Sequence, residues 1–179
     1  MPLIKRPAFA MVAVLLGTPA MAADNPGSHQ HGHAELQLAF NGDEVDLLLI
    51  SPAGNMLGFE HHPRTPEQKQ AADTLTDWLE ETPLINTPGS TCTVYGSTVQ
   101  HEIAGGSPHG DDHANEGQHA DIEVTQILIC PGLEKTVVLT TQLTTRFPGL
   151  EHLDIAWAGP GGQGATRLAH GENSFRLGR

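Results

Sequence analysis

The sequence predicts a mainly β, α+β domain: an antiparallel sheet or sandwich of about eight strands, one covering helix over about residues 66–81, and a mobile His/Asp-rich hairpin loop. Three observations predict it. Residues 33–40 alternate apolar and polar side chains and run into Asn41-Gly42, a strong hairpin signal. Only one stretch of the chain carries apolar residues at helical spacing. From Cys92 onward, Thr- and Val-rich runs are punctuated by Pro148-Gly149 and Pro160-Gly161-Gly162.

Residues 1–23 read as a cleaved signal peptide. Lys5 and Arg6 precede an apolar run from Ala8 to Gly17, and Ala20-Met21-Ala22 supplies a small-x-small cleavage pattern. The run is too short to span a bilayer, and no cysteine near the cleavage point offers a lipid anchor. The expected product is a single periplasmic domain, residues 24–179, of about 156 residues. Cleavage removes two positive charges and no negative one, so the formal charge of −12 becomes −14. Such a surface repels nucleic acid and anionic membrane and attracts cations.

Within the domain, Ala34, Leu36, Leu38 and Phe40 take one face of the first strand, and His33, Glu35 and Gln37 the other. Extended back to His29, that strand would set His29, His31 and His33 on its polar face, about 6.6 Å apart. Glu44 to Ser51 returns as the second strand, and residues 52–64 read as an irregular loop in which Gly58 makes a turn and Phe59 anchors in the core. Thr65 then caps a helix, with Pro66 in its first turn, Gln68 completing a capping box, and Ala71, Ala72, Leu75, Trp78 and Leu79 as its apolar stripe up to Pro83. Further strands are expected near 92–102, 120–130, 135–146, 152–158, 164–169 and 173–177.

Cys92 and Cys130 are the two cysteines. In an oxidising compartment they read as a disulfide closing a loop of about 39 residues, a contribution on the order of 4 kcal/mol in the chain-entropy model. The rival reading is a pair of thiolate metal ligands. If the two face each other across neighbouring antiparallel strands, counting up from 92 and down from 130 sets His101 opposite Asp121. His119 and Glu123 then share that outward face, while Ile122, Val124 and Leu128 lie on the other with Val94. Residues 104–118 become the hairpin tip.

The histidines carry the chemistry. Of 11, three form His29-x-His31-x-His33, and His101, His109, His113 and His119 fall among Asp111, Asp112, Glu116 and Asp121. Neutral imidazole is the commonest ligand for borderline metals, so these clusters read as metal capture, with Zn²⁺ the default. The bland alternative is a solvated loop and a frayed tail. The strand histidines need a second segment to complete a shell, and Glu60, His61 and His62 are the nearest chemical candidates. His152 and His170 read as surface residues. The mature chain keeps only Met56 among its methionines, which leaves no thioether cluster for copper(I). Histidine ligation predicts weaker binding below about pH 6. No His-Glu-x-x-His, Gly-x-Ser-x-Gly or phosphate-binding glycine loop is present, so no enzyme is expected.

His31-Gly-His-Ala-Glu-Leu36, Asn55-Met-Leu-Gly-Phe-Glu-His61, the cysteine-bounded His/Asp loop and Arg146-Phe-Pro-Gly-Leu-Glu151 occur in this order. This pattern resembles the ZrgA-like family of zinc-regulated periplasmic proteins from Gram-negative bacteria. The resemblance implies a periplasmic zinc-binding protein that assists uptake, capturing Zn²⁺ for an ABC-type importer. The loop at 104–118 is shorter and poorer in histidine than is usual in that family. Candidate ligands are therefore His31, His33, Glu60, His61, His101, His109, His113, His119 and Asp121. The alternatives are a general periplasmic buffer or sensor for zinc, nickel or Cu²⁺, and a structural β domain that binds no metal.

Overall fold

The computed structural model describes residues 30–103 and 120–178. Its strands are β1 (His33–Asn41), β2 (Glu44–Pro52), β3 (Thr93–Ile103), β4 (Ala120–Ile129), β5 (Val138–Thr140), β6 (His152–Gly159), β7 (Gly162–Ala169) and β8 (Ser174–Arg176). Three α-helices accompany them: α1 (Ala53–Leu57), α2 (Pro66–Glu81) and α3 (Leu143–Arg146). Six strands form one sheet in the order β3-β4-β2-β1-β6-β7, and β5 pairs with β8 in a second, small sheet. The large sheet is three hairpins laid side by side. Only its β1–β6 seam is parallel, because the third hairpin adds to the free edge of β1 running the same way. The fold is thus mainly β, as the alternation and turn signals require.

Alternation divides the sheet into two unlike faces. Leu36, Leu49, Ile122, Val124, Leu128, Leu153 and Ile155 are fully buried on one, under α2 and the segment that supplies Leu133, Leu139, Leu143 and Leu150. Helix α2 is fixed at its start by the Thr65–Gln68 capping box. At its far end Gln126, itself buried, donates to the Leu79 and Thr82 carbonyls at 2.7 and 2.9 Å and accepts from the Leu84 amide. The opposite face is open. Glu35, Gln37, Asp46, Leu48, Ile127 and Asp154 line a groove of about 970 Å³ along it. Among the described residues no helix is long and apolar enough to cross a membrane.

Four local expectations are corrected. Residues 52–64 contain a helical turn, α1, closed by Gly58 in the left-handed conformation. Phe59 packs at the surface against His61 and is not a core anchor. The strand expected over 135–146 shrinks to β5, followed by α3. Its threonines turn their hydroxyls to nearby backbone: Thr141 accepts from the Leu143 amide and Thr145 donates to the Gln142 carbonyl, which competes with a ladder. Finally, Cys92 and Cys130 are joined as a disulfide, which overturns the thiolate-ligand reading, and beside it the in-step register holds through Thr93–Ile129 and Val94–Leu128. A bulge at Tyr95 then slips the ladder by one, so His101 lies opposite Ile122 and not Asp121.

Candidate metal centre

Three motif segments distant in sequence meet at one end of the large sheet. The turn before β1 is built on Gly32, whose φ of 80° suits a residue without a Cβ. The Gly32 carbonyl accepts from the amides of both Glu151 and His152 at 2.8 Å, which fastens the start of β1 to the start of β6. Its own amide donates to Asn55 Oδ1 at 2.8 Å. Asn55, buried in α1, also donates through Nδ2 to the His33 carbonyl at 2.8 Å and to Ser51 Oγ at 3.2 Å. Gly149 closes the third side: a Cβ there would stand 2.8 Å from the Asn55 carbonyl oxygen. Backbone and carboxamide therefore hold three histidine-bearing segments in register.

This frame aims two polar pairs. His31 Nδ1 lies 3.1 Å from Glu60 Oε1; the carboxylate is largely buried, while the imidazole is exposed. The pair sits in a depression of about 360 Å³ lined also by Gly32, Asn55, Phe59 and Glu151. His33 and His152, partners across the parallel β1–β6 seam, stand with ring centroids 5.0 Å apart. One step along the same open face come Glu35 and Asp154. Asp154 is gripped in bidentate fashion by Arg167 across the β6–β7 ladder, at 2.6 and 2.8 Å. That hydrogen bonding is the main reason its carboxyl lies below the usual range, aided by the positive charge of Arg167.

The structure brings some of the sequence-predicted ligands together and separates others. His31 joins Glu60, although His31 lies in the turn before β1 and not on the strand. His33 meets His152, which sequence alone reads as a surface residue; its Nδ1 is in fact buried. His61 stacks on Phe59 with centroids 5.3 Å apart, and its Nδ1 faces the His62 carbonyl at 2.8 Å. His101 turns to the helix-covered side, with Nε2 3.1 Å from Thr76 Oγ1, because of the Tyr95 bulge. Asp121, the second residue of β4, pairs with Pro52 on the face away from His101. His29, His109, Asp111, Asp112, His113, Glu116 and His119 lie outside the described residues. Among the described residues no three His, Cys, Asp or Glu side chains already stand together as a metal-holding group. Asn55 and His152 are the participants that sequence reasoning missed. Each belongs to, or directly follows, a motif segment, and that was the available signal.

A sequence model described as ZrgA family zinc uptake protein matches residues 28–177, which takes in all three converging segments and both cysteines. The chain belongs to the ZrgA family. No curated protein gives a significant match to it. The family description names zinc uptake, so zinc is the ion against which these donors are weighed. An exposed imidazole beside a carboxylate, and two imidazoles on adjacent strands, are donors of the type zinc takes.

Proposed function

We propose that this ZrgA-family chain works in the periplasm, where it captures Zn²⁺ and delivers it to, or buffers it for, an ABC-type importer. The observation that carries the reading is the convergence just described: His31, His33, Glu60 and His152 arrive from three segments at one end of one sheet. The roots of the His/Asp-rich segment lie at the same end, since Ile103 pairs with Ala120 and Asp121 pairs with Pro52, the residue before α1.

In this reading the strongly negative chain raises the local concentration of divalent cations. His109, His113 and His119 collect ions, and the fixed residues at the sheet end hold one. Neutral imidazole and carboxylate ligands open to solvent suit a cargo that must leave again, whereas closed structural zinc sites retain their metal. The disulfide lies at the opposite end of the β3–β4 hairpin and acts as a staple only. No catalytic step is assigned.

The test is zinc accumulation by cells of the source bacterium in zinc-poor medium. Deleting the gene lowers uptake and slows growth, and restoring the wild-type chain reverses both. Unchanged zinc uptake, with altered tolerance to excess zinc, nickel or copper, would replace the uptake role by one in buffering.

A further inference from the structure

We infer that His33 and His152 form a two-imidazole seat for a borderline divalent ion of the Zn²⁺ class, on the open face of the sheet and distinct from the His31–Glu60 pair. The inference rests on the zinc reading above and locates the holding site within it.

Three observations carry it. The first is geometric. His33 and His152 are partners in the β1–β6 ladder, so both side chains leave the same face side by side, and their rings stand 5.0 Å apart with planes tilted by 55°. Two imidazoles bound to one tetrahedral zinc through bonds of about 2.0–2.1 Å have ring centroids about 5.2 Å apart. Side-chain rotation alone can therefore aim both at one ion.

The second concerns His152 itself. Its Nδ1 is buried and has no hydrogen-bond partner among the described residues. Such atoms are rare in folded proteins, and a bound ion is one of the few explanations available for them. The His33 ring is partly exposed beside it, so an ion can reach the pair from solvent.

The third is the surroundings. Glu35 and Asp154 follow on the same face of the two strands, and Arg167 engages Asp154, not Glu35. Glu35 is exposed and lies roughly 6.6 Å along the strand from His33, near enough for its long side chain to add a carboxylate oxygen. Water completes the shell. Both imidazoles are carried on sheet strands whose first residues are tied through the Gly32 carbonyl, which fixes the spacing before an ion arrives.

The experiment is a chelator-competition titration with Zn²⁺ on the chain lacking residues 1–23, comparing wild type with His33→Ala, His152→Ala and the double variant. Each single variant at the pair loses at least tenfold in affinity. The double variant loses much less than the product of the two, because both ligands serve one ion. Metal-free melting curves check that the variants fold. A second readout needs no variant: in wild type, one equivalent of Zn²⁺ shifts the imidazole nitrogen resonances of His33 and His152 together. Tight wild-type binding that His152→Ala leaves intact, or rings that do not respond, overturns this site while sparing the zinc reading. Absence of zinc binding in wild type overturns both.

Discussion

Replacing Asn55 by alanine tests whether the convergent end is built as described. The carboxamide is 5% exposed and makes three hydrogen bonds, accepting from the Gly32 amide and donating to the His33 carbonyl and to Ser51 Oγ. Alanine leaves the buried Gly32 amide and the His33 carbonyl without their partner. Each buried polar group so orphaned costs about 1–3 kcal/mol, and partial relaxation at a sheet end gives a net loss of about 2–4 kcal/mol. Against a total stability of about 5–15 kcal/mol that is large, and for a domain of this size it lowers Tm by roughly 5–15 °C. Urea denaturation followed by circular dichroism measures the loss. Amide hydrogen exchange locates it, with faster exchange at Gly32, Glu151 and His152 and little change at Thr93. Asn55→Asp keeps the acceptor for Gly32 but buries a carboxylate oxygen against the His33 carbonyl, so it is no more stable than alanine at neutral pH. A change within about 0.5 kcal/mol, the range of an ordinary surface substitution, together with unaltered exchange at Gly32, would refute the reasoning.

Other substitutions probe the remaining parts. Gly149→Ala forces its Cβ to within 2.8 Å of the Asn55 carbonyl oxygen, so it destabilises by about 1–3 kcal/mol in the same melt and weakens zinc binding with it. Removing the disulfide through Cys92→Ala with Cys130→Ala lowers stability by about 4 kcal/mol but leaves zinc affinity unchanged at a temperature where the variant is folded, since the bridge is at the far end of the hairpin. Gln126→Leu strands the Leu79 and Thr82 carbonyls and the Leu84 amide and costs about 2–4 kcal/mol, read from urea midpoints at constant slope. Arg167→Ala has little effect on stability because the pair is solvent-exposed. Hydrogen bonding to Arg167 depresses the Asp154 carboxyl in the folded state, so its contribution is present at neutral pH and is lost as pH falls through the folded value. The gap between wild type and Arg167→Ala therefore narrows in acid; a gap that widens would contradict the assignment.

The sheet was legible in the sequence wherever one face is buried. Alternation at Ala34–Phe40 and at Ile122–Leu128 reports that burial directly, and the Thr65–Gln68 capping box marks the start of the helix by its own chemistry. What escaped was set by interactions distant in sequence. The Tyr95 bulge has no local signature beyond the following glycine, yet it moves His101 to the opposite face. The threonine run at 140–145 has strand propensity, but its hydroxyls capture nearby backbone. For the site, the motif segments grouped His31 with Glu60, and the two stand 3.1 Å apart. Pairing His33 with His152 needed the parallel β1–β6 seam, a topological fact that no spacing in the chain encodes.

The most direct test of the central claim is a zinc titration, against a chelator of known affinity, of the chain from residue 24 onward and of a version lacking residues 104–118. A tight site survives the deletion, with the deleted segment contributing additional, weaker ions, because the holding residues lie on the fixed sheet end. Zinc binding no tighter than the high micromolar range in both proteins would contradict capture for uptake. Loss of all tight binding on deletion would move the site from the sheet end to the segment itself.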